Sequence, residues 1–346
     1  MGSNVCLRTL RGHALLEHPL AAPRPYACLA RQFSTRSSTR SSTPTTAESS
    51  ALVDDPVNPP RSTLPPSLEL PIRQPGVSTV SHLFKVGKTY LGFYKEGFKS
   101  VFANRRLLKG KLALVPREDQ PSIFKPHHVP ATFSRADWIL LWRTRHDVAR
   151  LPVFGITVLL FEELTPLIAY FVEGIMPLTC RLPQHSAKSR DKAAARRKHA
   201  LEELKWKNPD GIATASTART HILRSLNLVS GFWDRIGLMP PGLWQLRGLS
   251  QMGFLEADDR LLRVAGKLEQ LSEDELLLAC VERGIDVDVT ADLRAGLNFH
   301  EERRQLLGQW LQLTDGKDEV ERRKRMAALL ALKCVESWDF PLSPSA

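Results

Sequence analysis

The chain has 346 residues, 42% of them hydrophobic, which is enough for two domains or for one domain with tails. Its formal charge of +11 favours an acidic partner such as RNA or anionic lipid. The five cysteines (Cys6, Cys28, Cys180, Cys280 and Cys334) include no Cys-x-x-Cys pair. They argue against a disulfide framework and a cysteine-built zinc site, and leave ordinary buried or half-buried thiols.

Residues 1–40 carry Arg8, Arg11, Arg24, Arg31, Arg36 and Arg40, no Lys, and the single acid Glu17. From Ser34 the chain turns into Ser/Thr repeats. This Arg-rich, Ser-rich, acid-poor composition is that of a mitochondrial transit peptide, and the competing reading is a disordered basic tail. The Arg31-Gln32-Phe33-Ser34 run resembles a matrix processing-peptidase pattern with the cut after Phe33. Because residues 1–33 hold four Arg and one Glu, a chain starting at Ser34 would still carry +8. No secretory signal competes, since the leader has no uninterrupted apolar stretch. Residues 34–80 read as a disordered Ser/Thr/Pro-rich linker. Pro56, Pro59, Pro60, Pro65, Pro66, Pro71 and Pro75 keep it stiff and extended.

Residues 81–150 read as membrane-proximal helices. Over 85–101, Tyr90, Phe93, Tyr94 and Phe98 suit one face of a helix with lysines at its edge. That helix serves either a membrane surface or ordinary core packing. Residues 133–150 predict a second helix with Trp138, Leu141, Trp142 and Val148 facing one way and Arg143, Arg145 and Arg150 elsewhere.

Residues 151–173 form the most apolar stretch and are the expected transmembrane segment. As a helix it would be roughly 33 Å long, enough to cross a bilayer. Its apolar residues contribute about −4 to −8 kcal/mol on an insertion scale. Glu162 and Glu163 cost about +5 to +7 kcal/mol, so hydropathy alone leaves the question near balance. A buried core helix, or two half-helices broken at Pro166, remain the alternatives. The two glutamates lie about 100° apart on a helix, so they cannot share one partner surface. They are candidates for ion or proton coupling, because intramembrane carboxylates tend to face a bundle interior or a water path. The alternative is a pair at a helix break that reaches local water.

Residues 188–207 predict a basic helix. Arg190, Lys192, Arg196, Arg197 and Lys198 are the candidate ribosome or RNA contacts, against the alternative of a merely solvated face. Ser272-x-x-Glu275 predicts a capping box in which each side chain satisfies an orphan amide, and Gly284 is placed to close that helix. Asn298-x-x-Glu301 opens another helix with the stripe Leu306, Leu307, Trp310, Leu311 and Leu313, and a last basic helix is expected near 319–333. Asp286-x-Asp288-x-Thr290-x-Asp292 lacks the glycine and closing glutamate of a calcium loop, with Ala291 and Leu297 at those positions.

Several stretches together resemble the LETM family (leucine zipper, EF-hand-containing transmembrane proteins). They are residues 90–99 (YLGFYKEGFK), 143–154 (RTRHDVARLPVF), 176–183 (MPLTCRLP), 254–262 (FLEADDRLL), 268–284 (LEQLSEDELLLACVERG) and 305–313 (QLLGQWLQL). The resemblance is to a short form without the EF-hand. It implies an all-α, single-pass protein of the mitochondrial inner membrane with a helical matrix domain over 174–314, 14-3-3-like in arrangement, followed by a C-terminal helix and tail over 315–346. It also implies a mitochondrial ribosome as partner, besides inner-membrane lipids, and cation/proton exchange as the alternative activity; because one span cannot enclose a pathway, exchange would require a homo-oligomer. No GxSxG, P-loop, HExxH or Gly-rich dinucleotide turn is present, and His127-His128 sit in a Pro-flanked loop. No catalytic residue, metal, cofactor or small-molecule substrate is therefore expected.

Overall fold

The computed structural model describes residues 55–72, 78–122, 126–161, 176–207, 215–229, 243–285 and 299–331. Among these there are eight α-helices and no strand, so the all-α expectation is met. In chain order they are α1 (Thr79–Ala113), α2 (Arg135–Phe161), α3 (Pro183–Lys207), α4 (Ala215–Ser225), α5 (Leu243–Ala265), α6 (Glu273–Glu282), α7 (Phe299–Leu313) and α8 (Glu319–Ala331).

α1 and α2 form an antiparallel hairpin. Lys111 pairs with Asp137 at 2.6 Å near the closed end, and the rings of Phe98 and Phe154 meet at 5.2 Å further along. Gln120 turns its amide back onto the carbonyls of Leu112 (2.9 Å) and Val115 (3.0 Å), satisfying acceptors that the end of α1 leaves open. α2 opens on a reciprocal cap. The Asp137 amide reaches Ser134 Oγ at 3.3 Å, and Asp137 Oδ2 accepts from the Ser134 amide at 3.1 Å. α2 runs on through Pro152, so the second expected helix and the start of the expected membrane segment are one element. Past it, residues 176–180 return onto the hairpin. Asp147 Oδ1 accepts from the Leu178 amide at 2.7 Å, and Gly97 lets the backbone approach, since a Cβ there would lie 2.7 Å from the Thr179 carbonyl oxygen. Phe154, Met176 and Cys180 form a small separate core there, with Tyr94 and Phe98 against it.

The main core joins the hairpin to the C-terminal helices. Trp138, Ile139, Leu140 and Leu141 of α2 share it with Phe254, Leu255 and Leu262 of α5, Leu276 of α6, Leu307 and Trp310 of α7, and Met326 of α8. Trp142 stacks on Phe254 with ring centroids 4.5 Å apart. Residues from 81–150 and from 174–314 thus share one buried cluster. α8, where a last basic helix was expected near 319–333, joins that core through Met326, Leu329 and Leu330.

Through this apolar interior runs a ring of buried charge. Arg135 Nε donates to Asp258 at 2.8 Å. Arg283 reaches Asp258 and Asp259, each at 2.6 Å, and Asp259 also accepts from Trp310 Nε1 at 2.9 Å. α2, α5, α6 and α7 are thus fastened at one knot. A second pair ties α2 to α6: Arg143 binds Glu275 through both nitrogens, at 2.6 and 3.0 Å. Arg143 was expected away from the packed face and is buried. This pair also alters the expected capping box. Ser272 Oγ caps the Glu275 amide at 3.4 Å, but Glu275 is held by Arg143 and does not reach back. The Ser272 amide instead donates to Asn58 Oδ1 at 2.9 Å. At the other end of α6 the amides of Ile285 and Gly284 return to Cys280 and Val281, with Gly284 at φ +75, as its position in the sequence suggests.

Asn58 belongs to the stretch expected to be linker. Residues 55–63 are instead stitched across the core, with Val57 fully buried. The Val57 carbonyl accepts from Arg135 Nη1 at 2.8 Å, and the Pro56 carbonyl from the Ala136 amide at 3.1 Å. Asn58 Nδ2 donates to the Gln270 carbonyl at 2.7 Å. Asn104 of α1 donates to the Ser62 carbonyl at 2.8 Å, and Arg143 donates to Thr63 Oγ1 at 3.1 Å. The segment bends at 56–58 and closes in a 3-10 turn at Arg61–Thr63, and the carbonyls of Pro56, Val57 and Ser62 remain open to donors of the core.

Two sets of substitutions test this assembly by chemical unfolding. Asp259→Ala leaves Arg283 buried with half its partners and should cost about 3–5 kcal/mol, while Asn58→Ala should cost about 0.5–1.5 kcal/mol through the lost hydrogen bond to the solvent-exposed Ser272 amide. Gly97→Ala drives a Cβ into the Thr179 carbonyl and should cost about 1–3 kcal/mol. Gly87→Ala, where nothing lies within 4 Å of the added carbon, should instead stabilise by about 0.5–1 kcal/mol. Equal effects at the two glycines would contradict the close approach described for Gly97.

Candidate functional site

α1 has two dissimilar faces because its 35 residues serve two surroundings. Phe93, Gly97, Val101, Asn104 and Leu108 are buried toward the protein. Away from them, Val80 and Phe84 are each 75% exposed and Leu91 is 70% exposed, with Leu83 and Phe102 also open to solvent. Single exposed apolar residues are ordinary, but a row of large ones along one helix marks an interaction surface. On the neighbouring α2, Val153 and Ile156 are also open.

Charge accompanies this row. α1 carries Lys85, Lys88, Lys95, Lys99, Arg105, Arg106, Lys109 and Lys111 against the single acid Glu96. Lys111 is bound to Asp137, whereas the other basic residues are exposed. Of the aromatics read onto one face of 85–101, Phe93 is buried and Tyr94 and Phe98 pack against Phe154, Met176 and Cys180, as the core-packing alternative expects; the exposed row consists of other residues, on a helix that begins at Thr79 and extends to Ala113.

The residues of α3 singled out as nucleic-acid contacts divide. Lys192 and Lys198 are exposed. Arg190 is half-buried, and burial lowers its guanidinium's pKa, with Asp191 pulling the other way. Arg196 is bound to Asn227 Oδ1 at 2.9 Å and to the Val229 carbonyl. Arg197 is buried, donates to the Ser225 carbonyl and lies against Gly284. Two of the five cations therefore fasten α3 to the end of α4 and the residues just after it, and no continuous basic patch of all five exists. Glu162 and Glu163, the proposed coupling pair, lie outside the described residues, as does the 286–297 stretch.

No described helix is long and apolar enough to cross a membrane. The single-pass reading of 151–173 is corrected to that extent: its described part, 151–161, continues α2, and its remainder lies outside the described residues.

Other groups with chemical potential are committed within the fold. His128 meets Asp119 at 2.5 Å; the Ala131 amide and then His128 hold the Asp119 carboxyl below the usual range. His127 packs against Gly253 and Trp142, and burial lowers its pKa. Both thiols among the described residues, Cys180 and Cys280, are buried and pushed up to about 11 by that burial, which suppresses the nucleophilic thiolate. A hollow of about 440 Å³ lies between the end of α5 and α7, but the guanidinium of Arg263 on its wall is turned to the Leu311 carbonyl and Thr314. No group of His, Cys, Asp and Glu among the described residues could hold a metal ion.

The hairpin-led half of the molecule has a counterpart among known families. Residues 77–228, somewhat less than half of the chain, match the family described as PNT1, pentamidine resistance factor domain. No curated protein and no solved structure matches. The match replaces the LETM assignment, and with it the ribosome-binding and cation/proton-exchange functions that the resemblance implied. It takes in α1 through α4, including the whole exposed row of α1, whereas the blocks 254–262, 268–284 and 305–313 that weighed most toward LETM lie outside it. Proteins of the matched family are mitochondrial, which is compatible with the address that the leader composition suggests.

Proposed function

We propose that this chain is a non-catalytic helical protein held at the mitochondrial inner membrane, on its matrix side, with a part in tolerance of pentamidine. The observation that carries the reading is the exposed row Val80, Phe84 and Leu91 on α1, with Val153 and Ile156 open on α2. A row of this kind is costly to leave in water and is stabilised by contact with lipid. Attachment is by a helix surface rather than by a described span. The interior supports a binding role over a catalytic one. Asp258 and Glu275 are bound to the guanidiniums of Arg135, Arg283 and Arg143, and the two described thiols are held protonated. The link to pentamidine comes from the description of the matched family alone.

Fractionation of mitochondria tests the reading. After sonication at physiological salt the chain should sediment with inner membranes and resist protease until the inner membrane is opened. Recovery in the soluble matrix fraction would refute membrane attachment. Cells lacking the protein should show altered growth inhibition by pentamidine, and an unchanged dose response would remove that part of the proposal.

A further inference from the structure

We propose that the outer row of α1 lies flat in an anionic lipid surface, with Lys88, Lys95 and Lys99 holding headgroup phosphates along one edge. This rests on the membrane reading above and assigns it a helix, a depth and a lipid charge. At about 100° per residue, Val80, Phe84 and Leu91 fall within about 40° of arc, and the three lysines occupy the adjoining arc. From Val80 to Lys99 the row is about 28 Å long, enough to lie along a headgroup layer. All three lysines are exposed, and no ion pair among the described residues involves them. Their alkyl stems can follow the apolar residues into the interface while the ammonium groups stay at phosphate level. Glu96, the helix's only acid, falls away from both arcs, so nothing on this face repels an anionic surface.

The same row continues downward into Phe98, whose ring is covered by Phe154. Lipid contact therefore begins where the protein's own cover ends, and the buried 93–108 face keeps the helix from rolling. A second copy of the chain is the competing occupant. Seven exposed cations on α1, repeated on each partner, oppose that arrangement, whereas anionic lipid satisfies them.

Co-flotation of the full-length chain with lipid vesicles tests the proposal. Vesicles of phosphatidylcholine with one third phosphatidylglycerol should bind the chain, and phosphatidylcholine alone should bind it far more weakly. Replacing Lys88, Lys95 and Lys99 together with Gln should lower partitioning on the order of 100-fold, taking about a fivefold loss for each surface lysine. Val80→Ser, Phe84→Ser and Leu91→Ser combined should abolish binding. Because all six side chains are exposed, thermal unfolding should confirm that both variants keep the parent's fold. Gly87→Ala should leave binding intact, since a lipid surface needs no close backbone approach.

Equal binding to both vesicle types, or full binding by the triple Gln variant, would overturn the headgroup assignment while leaving membrane attachment standing. A wild-type chain that ignores both vesicles, and is also soluble in fractionated mitochondria, would overturn both. A dimer in solution that the Ser variant dissociates would show the row to be a self-association surface, and would also overturn the proposal.

Discussion

Arg283 sits at the end of α6 with no solvent-exposed side-chain surface, and its guanidinium spans two carboxylates on successive residues of α5. A charge so far from water is tolerable only when its donors are paired, and here each of the three nitrogens has a partner: Nε reaches Asp259, Nη1 the Ala279 carbonyl, and Nη2 both Asp258 and Asp259. Asp258 must then be shared with Arg135 of α2, and Asp259 with Trp310 of α7. The knot demands that four helices arrive at one point in one register, and the apolar contacts around it are arranged to allow that. Burial pulls the two carboxylates apart. It pushes Asp259 upward, whereas Asp258 has two guanidiniums that outweigh the same effect and hold it low. Well-packed apolar residues of similar volume would supply comparable stability. The knot excludes alternative packings, because any slip of one helix leaves a buried ion alone.

The strap over 55–63 follows from the same constraint. Arg135 spends one nitrogen on Asp258 and another on the Val57 carbonyl, and Arg143 splits its donors between Glu275 and Thr63. The two arginines of α2 are thus satisfied partly by backbone and side-chain oxygens from outside the helical body. An irregular segment of bends and a single 3-10 turn can offer those oxygens where an α-helix, with its carbonyls already used, could not.

What was legible in the sequence had a local cause. Ser272 and Gly284 bound α6 through contacts within a few residues of themselves, and Leu307, Trp310 and Leu311 face the core at helical spacing. What was not legible depended on partners far along the chain. Glu275 sits where a capping box would use it, but an arginine 132 positions away holds it. Composition marked 55–63 as linker, yet Asn58 completes a helix start more than 200 residues later. Arg196 and Arg197 read as a free basic run until the carbonyls of 225 and 229 come into place. The resemblance to LETM failed for a related reason. Its most persuasive block contains Asp258-Asp259, Arg283 at the end of α6 and Trp310, which are parts of the knot. Such residues report how helices are fastened together rather than what the protein binds.

α1 shows how the fastening and the exposed surface divide one helix. Its C-terminal half is held by Leu108 in the core, by Asn104 on the strap and by Lys111 on Asp137. The last contacts before the exposed half are the buried Phe93 and, beside it, Tyr94 against the small core of Phe154, Met176 and Cys180. Above them Gly87 and Gly92 have open space around them, so no packing within the chain explains why a helix should carry glycine there at a cost of about 1 kcal/mol each. A helix this long cannot be kept straight by propensity alone when half of it lacks a packing partner. Its outer half draws its direction from the anchored half and its stability from whatever covers Val80, Phe84 and Leu91. The rigidity of the ion knot therefore reaches the outer surface through α2 and the Lys111–Asp137 bridge, and it sets the angle at which the apolar row is presented.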